Sequence, residues 1–164
     1  MSPFDVSIQK GFLWALLVFG LFLFGYAVRK PPMKEWLIVF FLTSYFSTFF
    51  GVIVVENDMV TYPIGLFDNY FDTSPLYEFL LLPVVSIFYC QTTSHASWSG
   101  ILRQGIGYTT VLTAGETILE RYTNLVHYNS WTWQSSYVSI FALLFAVRVL
   151  LAAIRRREQS ESRG

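Results

Sequence analysis

Three ionisable side chains fall within stretches otherwise apolar enough to cross a bilayer: Glu78, Glu116 and Arg148. A charge in hydrocarbon is costly, so each is a candidate for function. On an inward-running helix that begins near Pro75, Glu78 would lie ~5 Å below the outer surface. On an outward-running helix that ends near Glu120, Glu116 would lie at ~6 Å. The two carboxylates therefore share one depth. With Asp58 they make a candidate site for a cation or a proton, under a loop that adds Glu56, Asp68 and Asp72 and holds no Lys or Arg. Position alone also accounts for them. An acid in a first helical turn, as at Glu78, is favoured by the helix dipole, and Glu116 and Glu120 can answer Arg121 and water. Arg148 lies ~14 Å lower than Glu116, too far for a direct ion pair. It is expected to snorkel inward or to bond a freed backbone carbonyl.

Other chemistry is poorly provided for. The single cysteine, Cys90, excludes an internal disulfide, and with His95 it still lacks two further zinc ligands. His127 falls on the opposite side of the membrane from His95. No Ser, His and acid share a side in a credible order. Gly100, Gly105 and Gly107 have the wrong spacing for a phosphate loop. No catalytic residue, metal site or cofactor is assigned, and an enzyme is the least supported class.

The elements that must hold these side chains follow from composition. Of 164 residues, 54% are hydrophobic and only 13% charged, and 16 Phe, 10 Tyr and 5 Trp are too many aromatics for a core this small. Soluble domains carry about 25% charged residues. Eleven basic residues face eleven acidic ones, which leaves no basic field for nucleic acid. The expected fold is an all-α polytopic transmembrane helix bundle with five spans, about 11–28, 36–55, 75–90, 100–119 and 136–154. Residues 1–154 form one transmembrane domain, and 155–164 a short cytoplasmic tail. Arg103, Gln104 and Glu116 weaken the fourth span, and charge bias decides for it. With five spans and the N-terminus outside, Arg29, Lys30, Lys34, Arg103, Arg155, Arg156, Arg157 and Arg163 lie inside, while only Lys10 and Arg121 lie outside. Without an A-x-A site after the first apolar run, that run reads as an uncleaved span rather than a secretory signal. The cell membrane is the expected location and its lipid the first partner.

Two helix faces are lined by small and hydroxyl residues. Ser44, Ser47, Thr48 and Gly51 recur at helical spacing, and the same face continues to Val55 and Asp58. Gly105, Thr109, Thr113, Glu116 and Glu120 fall within about 80° of one another. Such faces serve first as packing seams and second as the lining of a polar cavity. The first span is apolar all round and should face lipid over most of its surface. Pro83 leaves the Phe79 carbonyl without its usual helical donor and should bend the third span. Between the second and third spans, Ile64, Phe67, Tyr70 and Phe71 alternate with Asp68 and Asp72 as in a short interfacial helix. His127, Tyr128, Trp131 and Trp133 suit an aromatic belt at headgroup level.

Several short stretches occur in an order that resembles an uncharacterised family of small multi-pass membrane proteins from spore-forming Gram-positive bacteria. They are Glu35-Trp36-Leu37, Tyr62-Pro63, Phe88-Tyr89-Cys90-Gln91-Thr92-Thr93, Leu119-Glu120-Arg121-Tyr122-Thr123 and Trp131-Thr132-Trp133. The resemblance runs from about Lys34 to Arg148. It implies no reaction, cofactor or catalytic residue, and associates the chain with sporulation or envelope maintenance. The leading expectation is a noncatalytic structural or interaction component of the cell or spore membrane, packing against itself or another membrane protein through the two small-residue faces. The alternative is a cation- or proton-coupled small-solute transporter or channel subunit using Glu78 and Glu116.

Overall fold

A computed structural model describes residues 6–66 and 72–161, and they are mostly helical. The helices are α1 (Val6–Val28), α2 (Met33–Glu56), α3 (Tyr77–Thr92), α4 (Trp98–Tyr122) and α5 (Trp133–Glu161). Two short strands, β1 (Val60–Thr61) and β2 (His127–Tyr128), lie in the connections after α2 and α4. They pair antiparallel, Val60 opposite Tyr128 and Thr61 opposite His127. The expected interfacial helix falls largely on Phe67, Asp68, Tyr70 and Phe71, which lie outside the described residues.

Of the five helices, α1, α2 and α5 are long and apolar enough to cross a membrane. The other two differ for separate reasons. At ~1.5 Å per residue α3 reaches only ~24 Å, short of a hydrocarbon core of ~30 Å. The long helix α4 has ample reach but carries Arg103, Gln104, Glu116 and its threonines. These two helices meet the others on several sides: α3 touches all four, and α4 packs against α3 and α5. Of the polar residues on α4, Thr109 and Thr113 are buried against neighbours, while Arg103 is exposed.

The helices pack alternately up and down, so one end of the bundle gathers the β pair and the other most of the basic residues, Lys10 and Arg121 excepted. At the β end, the Asn124 amide donates to Gln9 Oε1 at 2.9 Å, joining α1 to the end of α4. At the basic end, Gln91 Nε2 donates to the Ala27 carbonyl at 2.7 Å. There too the Arg155 guanidinium is bonded to Glu35 through both Nε and Nη2 and lies over the Trp36 ring. An exposed Lys34–Glu158 pair sits beside it at 2.7 Å. These contacts explain why α5 continues as helix to Glu161. Residues 155–161, expected as part of a short cytoplasmic tail, are mostly good helix formers, and Arg155 and Glu158 anchor them to the start of α2.

Apolar burial follows the same plan. Ala27, Trp36, Val39, Ile87, Leu144 and Leu151 belong to one core cluster, and Leu13, Ile64, Leu76, Leu80, Val84 and Leu125 to a second. The buried residues of α1 are Gln9, Leu13, Gly20 and Ala27, a narrow stripe, while Phe19 and Phe22 are among its exposed side chains. The face expected to meet lipid is thus open. Gly20 lies in the stripe because a side chain there would strike Leu80.

Candidate functional site

The third helix opens with a π turn over Tyr77–Leu81, in which the Leu82 amide bonds back to the Tyr77 carbonyl. Pro83 follows at once. A widened turn upstream absorbs the donor that proline lacks, so the expected disturbance at Pro83 takes this form. Glu78 sits in this turn, buried, with its carboxyl directed at α2. There Gly51 makes room: a Cβ at this position would collide with the Glu78 carboxyl. Thr73 is its hydrogen-bonding neighbour, yet Oε2 is buried without a partner.

Glu78 and Glu116 line one cavity of about 550 Å³. The cavity lies between α2 and α5, and its walls carry Ser47, Gly51 and Val55 on one side and Ser139, Ala142 and Ala146 on the other. Its polar groups gather toward the β end. Trp131 Nε1 donates to Ser136 Oγ at 2.8 Å, and Ser136 Oγ donates to Glu116 Oε1 at 3.2 Å. The Tyr128 hydroxyl lies 3.2 Å from the same Ser136 oxygen. One serine hydroxyl has one proton to give and two lone pairs to receive. With its proton on Glu116, Ser136 can accept from both Trp131 and Tyr128.

The strand pair positions this network. Both the Asn129 and Trp131 amides donate to the Met59 carbonyl, at 3.0 and 3.2 Å, so the connection after α4 is clamped onto the connection after α2. That brings Tyr62 and Trp131 to the cavity wall. Desolvation, reinforced by the Glu116 and Glu78 carboxyls, pushes the Tyr62 phenol above its ordinary range. Desolvation, followed by Glu116, does the same to Tyr128. Both phenols are thereby held in the protonated form, and Tyr128 is the one hydrogen-bonded within the network.

The remaining candidates disperse. Asp58 is exposed in a turn at positive φ of 51° and does not line the cavity. Its carbonyl, rather than its carboxylate, is used, accepting from Asn129. Ser44 is buried and donates to the Phe40 carbonyl of its own helix. Among the described residues, the hydroxyls of Thr48, Thr109 and Thr113 are buried without partners. Gly105 allows close approach, since a side chain there would press on Phe141 and the Tyr89 hydroxyl. The α4 stripe is therefore a packing face over Gly105, Thr109 and Thr113 that ends at the cavity with Glu116.

Arg148 has a different setting. It is buried, and its Nε donates to Thr93 Oγ1 at 3.0 Å while Nη2 donates to the Thr93 carbonyl at 2.9 Å. Thr93 Oγ1 in turn donates to the Tyr89 carbonyl at 2.6 Å. The guanidinium thus closes the C-terminal end of α3, where helix carbonyls lack amides and a cation is favoured. The expected carbonyl partner exists. It belongs to the helix end rather than to the proline turn.

Sequence reasoning passed over Tyr62, Tyr77, Trp131 and Ser136 as site residues. A signal was present in α5, where Ser136, Ser139, Leu143, Ala146, Val147 and Leu150 keep one face at helical spacing and all line the cavity. Comparison with protein-family models, curated proteins and solved structures finds no match.

Proposed function

We propose that this chain is a five-span protein of the cell membrane, with its N-terminus outside and C-terminus cytoplasmic, which binds a cationic ligand at an intramembrane carboxylate site. One observation carries the reading: the Glu78 carboxyl is buried with Oε2 unpartnered, in a cavity it shares with Glu116. A buried carboxyl oxygen without a donor is expensive, and a bound cation or N–H donor offsets that cost. The up-and-down packing supports five crossings, and the concentration of Lys and Arg at one end supports a cytoplasmic basic end. The role is noncatalytic binding, with transport of the bound cation as its natural extension. It fits an envelope protein of the kind the sequence resembles.

Small-residue packing favours a second role. Gly105 and the unpaired hydroxyls of Thr109 and Thr113 form a close seam within the bundle. That seam supports assembly of this chain's own helices more directly than assembly with a partner.

Infrared spectroscopy of the purified protein in lipid nanodiscs tests the main proposal. Addition of methylammonium should shift carboxyl bands that Glu78→Gln and Glu116→Gln each reduce. Bands indifferent to methylammonium in the unaltered protein would overturn it.

A further inference from the structure

The cavity is asymmetric along its length, and that asymmetry describes a ligand. At the β end stand the two carboxyls with Tyr62, Tyr77 and Trp131; further along, the walls are Phe46, Leu143, Ala146, Val147 and Leu150. From Ser136 to Leu150 the α5 wall runs ~21 Å, two thirds of a bilayer core. The rim reaches the surface of the bundle, since Phe50 and Leu150 are 56% and 41% exposed. Ala142 and Ala146, small residues on the α5 wall, widen the groove where larger side chains would close it.

The head region specifies charge and donors. Glu78 is only 3% exposed and has an oxygen without a partner. The Tyr77 hydroxyl beside it is also buried without one. No basic residue lines the cavity among the described residues. A phosphate or carboxylate head would meet two acids and no cation. A primary ammonium group supplies a positive charge and three N–H donors, and the faces of Trp131 and the tyrosines favour a cation as well. Below the head the lining is apolar apart from Ser47, which suits an alkyl chain.

We infer that the cavity between α2 and α5 takes a single-chain amphiphile with a primary ammonium head, entering sideways from the bilayer, its head at Glu78 and Glu116 and its chain along Ala142, Ala146 and Leu150. This rests on the carboxylate site proposed above and adds the chain to it. The cavity volume of about 550 Å³ lies within the range of small-molecule sites, roughly 300–1,000 Å³.

The experiment measures saturable binding to the full-length protein in phosphatidylcholine nanodiscs, by native mass spectrometry and by the shift in thermal unfolding. The probes are octadecylamine, octadecanol, octadecanoate and methylammonium. Octadecylamine should bind about tenfold or more tightly than octadecanol, and octadecanoate should not bind. Glu78→Gln should remove the preference for the amine over the alcohol. Ala146→Phe fills the groove from an exposed position without entering the core; it should weaken octadecylamine about tenfold and leave the methylammonium response unchanged. Methylammonium binding as tightly as octadecylamine, with Ala146→Phe neutral, would overturn the inferred chain and leave the carboxylate site standing. No response to either amine would overturn both. Equal binding of octadecanol and octadecylamine would overturn the ammonium head.

Discussion

The carboxyl of Glu78 occupies the space that a side chain at position 51 would need, so glycine in α2 and the acid in the π turn of α3 are one structural unit. Gly51→Ala should cost about 1–3 kcal/mol, the range for overpacking a close contact. It should also displace Glu78 and weaken methylammonium binding. In a Glu78→Ala background the same alanine should cost markedly less. Unfolding of the four variants in mixed micelles measures the coupling, and strict additivity would refute the unit.

Arg148 closes α3 through two bonds to Thr93. Each bond to a charged donor is worth about 1.5–3 kcal/mol, so Arg148→Ala should be among the most destabilising substitutions. Arg148→Lys keeps the charge but loses the planar fork, and should recover only part of the loss. Thr93→Ala should cost less than Arg148→Ala, because the backbone carbonyl remains. A neutral Arg148→Ala in denaturant titration would remove this residue from the structural account.

Two ion pairs join α2 to α5, and they should behave differently. Glu35 and Arg155 are largely shielded, and Arg155 is further held by Ser94 at 3.2 Å. Glu35→Gln should lower stability by about 1–3 kcal/mol. Lys34 and Glu158 are exposed, so Glu158→Gln should leave the unfolding midpoint unchanged, since water and salt screen such pairs. Equal effects at both sites would contradict the burial difference.

Ser136 is the junction between Trp131 and Glu116. Ser136→Ala strands a donor and an acceptor together and should cost about 1–3 kcal/mol. Ser136→Thr, which keeps the hydroxyl, should restore most of it. The fluorescence of Trp131, isolated by replacing the other tryptophans with phenylalanine, should change with the alanine and recover with threonine. An unchanged spectrum in Ser136→Ala would place Trp131 outside the network.

Topology is open to direct measurement. Reporters fused after Lys34, Ser97 and Arg157 should read cytoplasmic, and one after Tyr128 should read external. An external signal at Arg157 would exclude the five-span arrangement.

The helical class was legible in composition, and the expected grouping of charges by side came from spacing along the chain. Helical rise alone predicted one depth for Glu78 and Glu116, and the two line one cavity. Asp58 illustrates the limit of such inference. This carboxylate sits in the turn after α2, where Asp58 itself has positive φ and is exposed, so it does not join Glu78 and Glu116 at the cavity. The full length of α5 was not legible for a related reason. The extension of α5 to Glu161 depends on partners at the start of α2, more than a hundred residues away in the chain.

Residue type and periodicity are local properties, and they were enough to determine an apolar, all-helical chain and to single out three charges within its helices. What each charge touches is a property of packing. Arg148 met a helix end because α3 is short and central, while Glu78 met a glycine because the turn before Pro83 widens. The cavity arises from the gap between α2 and α5, and only the tertiary structure, by clamping two distant connections through β1 and β2, brought Tyr62, Trp131 and Ser136 to its head.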